Sequence, residues 1–481
     1  MEIFDNDFTI TNVTRGEEIS GKSFKRSIIA RKLQLASYTS SDTVIVSQQN
    51  PIQFLADLFA IWSLGMRAAC LSSNITVSEL KNIVQFCEAR VVIANEDNYH
   101  GKVGCDVVCD GGVVDLDYDP PEKIILPNLE NAGLILFTSG TTSIPKGVML
   151  TLRSIVLRVK LNRQIIGEEV MHNTLCTLPL HFGHGLIGNC LTPLLNGCNL
   201  YILENSDLKT LVKLDHVLDK NKITFLSSVP AFWKLVLRLS SRPKEKTLSR
   251  VHVGSAPLTA ALWRRIIEWT DCNVVNVYGT TENCNWVSGA CSDDFAPQDG
   301  LVGKMWGGEA AVLDSNGIVH YKGQGRLLIK TPTLMTGYLN NVNLSNSIWL
   351  DGWYDTGDVA LIDDEGCITL IGRDIYTVNK AGIKIYPEEI DALAESNKHV
   401  LDACAFGMPD PIAGEILGVV LVPCDRRLFC ISKFRSWLAE RLSREKLPDK
   451  VFVVDQIPKN QRGKVVREEV KRMAMEASID I

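Results

Sequence analysis

Apolar positions change their period several times along the first third of the chain. Val44-Ile45-Val46 is a short unbroken apolar run, the pattern of a strand buried on both faces. Asn50-Pro51 follows, an N-cap and a proline at the first helical position. Leu55, Leu58, Phe59 and Trp62 then recur at helical spacing up to Gly65. Thr76-Val77-Ser78-Glu79 is a capping box; Leu80, Ile83, Val84 and Cys87 continue it along one face, and Val91-Val92-Ile93-Ala94 is the next apolar run. This alternation predicts a parallel sheet covered on both faces. Similar units recur through 174–280. Leu226-Ser227-Ser228-Val229-Pro230 reads as a strand entering a helix with Phe232 and Trp233, and Val274-Val275-Asn276-Val277-Tyr278 reads as a further strand. Residues 301–371 carry more glycine and shorter runs, around Ala310–Leu313, Arg326–Ile329 and Cys367–Ile371, which predicts a small antiparallel or barrel-like subdomain. Beyond Gly372-Arg373 the pattern becomes that of a compact α+β segment. The expected class is α/β. A large N-terminal domain of layered sheets and helices with a small barrel-like subdomain spans 1–372, and a smaller α+β C-terminal domain spans 373–481.

Length and composition narrow the function classes. The chain has 481 residues, enough for two or more domains with separate cores, and a formal net charge of −6. That charge argues against nucleic-acid binding through a basic surface. Fourteen cysteines are scattered without a repeated short spacing, and no second pair completes a zinc set around Cys105 and Cys109. Free thiols in a reducing, cytoplasmic compartment are expected. The first residues are acidic and lack an apolar signal core, and Asp57 and His181, His184 and Pro193 interrupt the most apolar stretches, so no membrane insertion is expected.

The candidate chemistry begins at residues 138–147, Thr-Ser-Gly-Thr-Thr-Ser-Ile-Pro-Lys-Gly, directly after Leu134-Ile135-Leu136-Phe137. A buried strand opens into a loop of hydroxyls and glycine that closes on a lysine. Gly140 lets a ligand approach the backbone, Thr138, Ser139, Thr141 and Thr142 supply donors, and Lys146 adds a positive charge. That density of donors suits a polyanion, above all a triphosphate. The spacing is not the P-loop one, because the lysine precedes the second glycine and no Ser/Thr follows it.

Four further motifs follow in order: Tyr278-Gly279-Thr280-Thr281-Glu282, Tyr354-Asp355-Thr356-Gly357-Asp358, Gly372-Arg373 with Ala381-Gly382, and Pro458-Lys459-Asn460-Gln461-Arg462-Gly463-Lys464. Together with the loop they resemble the adenylate-forming superfamily of acyl- and aryl-CoA ligases, luciferases and nonribosomal-peptide adenylation domains, over roughly residues 40 to 470. The resemblance implies that loop 138–147 binds the β- and γ-phosphates of ATP. It implies that Glu282 ligates Mg2+, that Thr281 contacts the α-phosphate and that Tyr278 and Gly279 sit at adenine. Gly254-Ser255-Ala256-Pro257 is similar to the family's small-residue adenine wall, with Ser255 and Ala256 against the base. Asp358 would accept the ribose hydroxyls, Arg373 would hold ribose or phosphate, and Lys464 would reach the substrate carboxylate and the α-phosphate.

The implied reaction is AMP-forming ligation of a small or aryl carboxylic acid to a thiol, in two half-reactions separated by rotation of a mobile C-terminal domain. The rotation brings Gly382 to the site, beside a pantetheine tunnel. The acceptor reads as coenzyme A, with the phosphopantetheine of a carrier protein as the alternative. A non-catalytic nucleotide-binding relative stays open as a different class, because Ser143, Leu152 and Ile375 depart from the family pattern. Leu178-Pro179-Leu180-His181-Phe182-Gly183-His184 resembles the segment walling the acyl pocket. Phe182 stands at the family's histidine position. His181 and His184 flank it, either gating the pocket, contacting a polar group of the acid or packing structurally. Thr280, with Asn283, Cys284 and Trp286, is expected at the far end of that pocket, and Trp286 suits a short or aromatic acid.

Overall fold

The structure is a computed structural model that describes residues 1–4, 7–95, 99–109, 123–130, 132–138, 146–204, 208–460 and 463–477. The local signals in the sequence act where expected. Helix Pro51–Ser63 starts at Asn50, whose side-chain oxygen accepts from the backbone N–H groups of Ile52 and Gln53. Thr76 and Glu79 close a reciprocal capping box on helix Val77–Cys87. Helix Pro51–Ser63 is buried nearly all round. Asp57 interrupts its apolar surface and pairs with Arg31 at 2.6 Å. Trp62 donates its indole N–H to the Gly133 carbonyl at 2.6 Å, which ties the helix to the strand leading into the hydroxyl-rich loop. Removing that indole from water stabilises the packing by about 2–3 kcal/mol.

One sheet runs in the order Gly337–Tyr338, Lys146–Thr151, Ala132–Thr138, Arg67–Cys70, Thr43–Ser47, Val91–Ala94, Asp106–Cys109. Its last five strands are parallel. Lys146–Thr151 folds back antiparallel on Ala132–Thr138, which sets Lys146 opposite Thr138. A second sheet has fifteen strands among the described residues. Its parallel centre comprises Asn273–Thr280, Arg250–Val253, Phe225–Ser228, Asn173–Cys176, Asn199–Ile202 and Thr9–Asn12. The central strands Phe225–Ser228, Arg250–Val253 and Asn273–Thr280 are mostly buried, as their apolar runs require, while Asn199–Ile202 and Thr9–Asn12 toward the edge alternate.

The expected barrel-like subdomain is antiparallel but does not close. Strand Leu301–Met305 pairs on one side with Asn285–Cys291 and on the other with Ile368–Arg373. The strands of 301–373 therefore extend the large sheet, which ends at the free edge Val319–His320. With both edges of Leu301–Met305 taken, none remains there for the last strand to pair with.

A five-stranded sheet forms the smaller C-terminal domain, from Val378–Lys380 to Lys450–Val453. Long strands Val400–Asp410 and Gly414–Pro423 make its hairpin centre. Helices Pro387–Glu395 and Ile431–Ala439 contribute Ile390, Phe434 and Leu438 to its own apolar core.

Candidate active site

The carboxyl ends of the parallel strands of both sheets converge on one cavity of about 810 Å3. Gln48 follows strand Thr43–Ser47, Leu71 follows Arg67–Cys70, Thr177 follows Asn173–Cys176, and Ser228 and Ser255 lie at or after the next strands. Such strand ends are where an open α/β fold places ligands. Asn460 and Gly463 of the C-terminal domain complete the wall.

In its lining His184 is held by two hydroxyls: Nδ1 lies 2.8 Å from Ser255 Oγ and Nε2 2.7 Å from Ser227 Oγ. Burial pushes the imidazole down to about 3, so the ring is neutral and one nitrogen donates while the other accepts. Ser255 takes up a left-handed backbone conformation, φ +66°, which turns its hydroxyl toward this histidine. Gly254 precedes it because a Cβ there would stand 2.7 Å from the Val277 carbonyl oxygen. Ala256 is half-buried beside Ser255. The His181 and Phe182 rings meet at a tilt of 52° with centroids 4.0 Å apart, and both residues line the same cavity.

The second station is the hairpin Asn273–Thr280 with Asn285–Cys291. Gly279 serves a backbone approach: a Cβ would be 2.0 Å from the Asn285 carbonyl oxygen. Thr280 accepts from the Asn283 N–H at 3.2 Å, so its hydroxyl closes the hairpin turn, and it is not among the residues lining the cavity. Asn283, Cys284 and Trp286 are likewise not among them: all three are buried. Trp286 lies edge-on to His184 at 5.5 Å and against Gly188, where a Cβ would meet the indole at 2.7 Å. Thr281 and Glu282 stay half-buried at the hairpin end, and no helix follows for Glu282 to cap.

A residue that sequence reasoning missed orders this end. Tyr338 donates its hydroxyl to Glu282 Oε1 at 2.8 Å, while the Lys146 ammonium lies 5.6 Å from the centre of its ring. Burial first, and then the Glu282 charge, push the Tyr338 phenol upward, so it remains a donor. Strand Gly337–Tyr338 pairs with Lys146–Thr151, and the Met335 N–H bonds the Glu282 carbonyl, so segment 331–339 joins the two hairpins. Arg158, fully buried, adds a second missed contact: its guanidinium donates to Thr333 Oγ1 at 2.5 Å and to the Trp306 carbonyl at 3.1 Å. Only the Gly337-Tyr338 pair, a turn residue before an aromatic, signals any of this in the sequence.

Tyr278, Asp358 and Arg373 meet at the third station. Asp358 and Arg373 stand opposite each other on adjacent antiparallel strands. Asp358 accepts from the Tyr278 hydroxyl at 2.5 Å and from Arg373 Nε at 2.9 Å. The Asp358 charge pushes the Arg373 guanidinium upward, and burial followed by that same charge pushes the Tyr278 phenol upward.

Thr138 and Lys146 stand opposite each other on paired antiparallel strands. Ser139, Gly140, Thr141, Thr142 and Ser143 lie outside the described residues. Lys464 sits on a hairpin closed by Asn460, whose N–H bonds the Lys464 carbonyl at 2.9 Å and whose side chain accepts from the Lys464 N–H at 3.1 Å. Gly463, one residue earlier, packs against Ala231 and has φ +71°. Gly382 is elsewhere: exposed, with φ +89° and open space around it. The structure thus brings the lysine hairpin, and not the Gly382 turn, to the cavity.

A family model described as "AMP-binding enzyme" matches residues 25–339, and its C-terminal domain matches 389–464. The chain belongs to the AMP-binding enzymes. This is the adenylate-forming superfamily. A probable CoA ligase of Humulus lupulus is 27% identical over 91% of this chain and 88% of its own length. The oxalate–CoA ligase of Arabidopsis thaliana is 26% identical over 93% and 91%. Among solved structures, ATP-bound MatB of Rhodopseudomonas palustris superposes with a TM-score of 0.85 at 24% identity, over 98% of this chain and 96% of that one, and shares its fold. Among the described residues no helix is long and apolar enough to cross a membrane.

Proposed function

We propose that this AMP-binding enzyme joins a small or aryl carboxylic acid to coenzyme A through an acyl-adenylate. The carrying observation is a cavity lined by His184, Ser255 and Gly463 of the lysine hairpin. Cleaving and remaking bonds at one phosphorus calls for a crevice in which an acid and a triphosphate meet under converging cations.

In the first half-reaction the acid carboxylate attacks the α-phosphorus of ATP, the bond to the bridging oxygen breaks, and pyrophosphate leaves. Lys146, opposite Thr138, offsets charge on the outer phosphates, and Lys464 lies between carboxylate and α-phosphate. Asp358 accepts the ribose hydroxyls, with Arg373 beside it, and Tyr278 and the wall at Ser255 and Ala256 take adenine. Glu282 fits Mg2+: one half-buried carboxylate oriented by Tyr338 is the sparse protein contribution this ion takes. The ion would neutralise charge on the phosphates. In the second half-reaction a thiolate attacks the acyl carbon and AMP leaves. The C-terminal domain, 373–481, rotates against 1–372 to bring Gly382 to the same cavity.

Trp286, wedged between Gly188 and His184, supports a short or flat acid. A neutral His184, both of its ring nitrogens held by Ser255 and Ser227, presents no charge to the acid. Fourteen free thiols suit the reducing cytoplasm. The test is acid-dependent exchange of pyrophosphate into ATP across acetate, lactate, oxalate, benzoate, 4-hydroxybenzoate and alanine, followed by trapping of the CoA thioester. ATP turnover to ADP with no acid consumed refutes the reading.

A further inference from the structure

Helix Pro230–Leu239 of the large domain touches the C-terminal domain twice on one face. Its first turn carries Ala231, on which Gly463 packs. Three residues on, Lys234 reaches the C-terminal domain with its ammonium 2.9 Å from Glu395 Oε1 and 3.5 Å from Asp402 Oδ1. Glu395 ends helix Pro387–Glu395, and Asp402 lies near the start of strand Val400–Asp410. The other oxygen of Asp402 is bonded by the ammonium of Lys459. Lys459 in turn forms one leg of the lysine hairpin, bridged to Val465 and closed by Val466 N–H to the Pro458 carbonyl at 3.0 Å.

All four charged side chains are largely shielded, between 11% and 28% exposed. Two carboxylates this close repel unless cations answer them, and burial already pushes Glu395 up to about 7. Lys459 and both carboxylates travel with the C-terminal domain; Lys234 does not. The cation from the large domain is therefore the part of the cluster that depends on how the domains meet.

We propose that Lys234 is a positioning residue for the acid-activating half-reaction, holding Lys459 through the Glu395–Asp402 pair and so seating the lysine hairpin against Ala231. This rests on the ligase reading and on the place of Lys464 in it. When the small domain turns for thiol attack, the Lys234 contacts open while the Asp402–Lys459 pair stays.

The experiment uses the full chain and the panel acid giving the fastest wild-type exchange. Lys234→Met should slow pyrophosphate exchange roughly tenfold, the scale of losing one half-buried charge contact. Thioester formation from the corresponding supplied acyl-adenylate should stay within about twofold of wild type, because that step does not use the contact. Lys234→Arg should recover most of the exchange. Asp402→Asn, which touches the cluster from the other domain, should show the same split and keeps the proposal testable if Lys234→Met misfolds. Equal loss in both half-reactions, or no loss in either, overturns the proposal. A wild-type enzyme with no acid-dependent exchange overturns the ligase reading itself, a separate outcome.

Discussion

Replacing Asp358 by asparagine probes the nucleoside end of the site with little change in shape. In the structure this carboxylate accepts from Tyr278 at 2.5 Å and from Arg373 Nε at 2.9 Å. A hydrogen bond from a buried phenol to a charged acceptor is worth about 1.5–3 kcal/mol, and to a neutral one about 0.5–1.5, so the loss there is about 1 kcal/mol. Full Coulomb attraction at the Arg373 distance overstates the second contact, because that side chain is 43% exposed; about 1 kcal/mol is the screened value. Asp358→Asn should therefore destabilise the protein by about 2 kcal/mol, read as a lower midpoint in thermal melting. If the carboxylate also accepts the ribose diol, the variant should bind MgATP roughly tenfold more weakly by calorimetry. The control is 2′,3′-dideoxy-ATP. Wild type should prefer ATP over it by about that factor, and Asp358→Asn should bind the two alike. A variant that loses stability but keeps its preference for the ribose hydroxyls would show that Asp358 only braces Tyr278 and Arg373.

Other outcomes follow from the same geometry. Lys464→Ala should abolish pyrophosphate exchange while sparing thioester formation from supplied acyl-adenylate; equal loss of both steps would remove its docking role. Tyr338→Phe keeps the ring beside Lys146 but removes the donor to Glu282, so the Mg2+ concentration for half-maximal exchange should rise about tenfold. An unchanged Mg2+ titration would separate Tyr338 from the metal end. His184, held at about 3, and His252, held well below its usual range by burial, are neutral in the folded protein. Unfolded, both take up protons below about pH 6.5, so stability is complete above that pH and falls as pH drops below it, by up to about 1.4 kcal/mol per unit for each ring. His252 packs among Phe225, Trp286 and Trp306, so His252→Phe should flatten the decline in melting temperature between pH 6.5 and 5; an unchanged slope would place the acid sensitivity elsewhere.

Much of the local structure is legible in the order of residues along the chain. Asn50-Pro51 and the Thr76–Glu79 box form the helix starts they encode, since a cap and its acceptors lie within three residues. The apolar runs become the parallel strands whose ends line the cavity. Tyr278, Asp358 and Arg373, named separately from their motifs, meet in one hydrogen-bonded group. Thr280 goes to a hairpin turn, because a local N–H three residues on claims its hydroxyl. The barrel expectation fails for a related reason. Short antiparallel strands look alike in sequence, and closure depends on which edges are already paired.

What the amino-acid order determined alone was therefore the layered α/β class, the helix starts at Pro51 and Val77, and the chemical parts. Each depends on neighbours in the chain or on a motif that keeps its residues together. Tertiary structure alone decided which parts work as units: Tyr338 on Glu282, 56 residues apart; Arg158 on Thr333, 175 apart; Lys234 on Asp402, 168 apart. No periodicity links such positions. They meet because packing two sheets and a second domain around one crevice leaves each buried charge or hydroxyl to be answered by whatever side chain the fold delivers there.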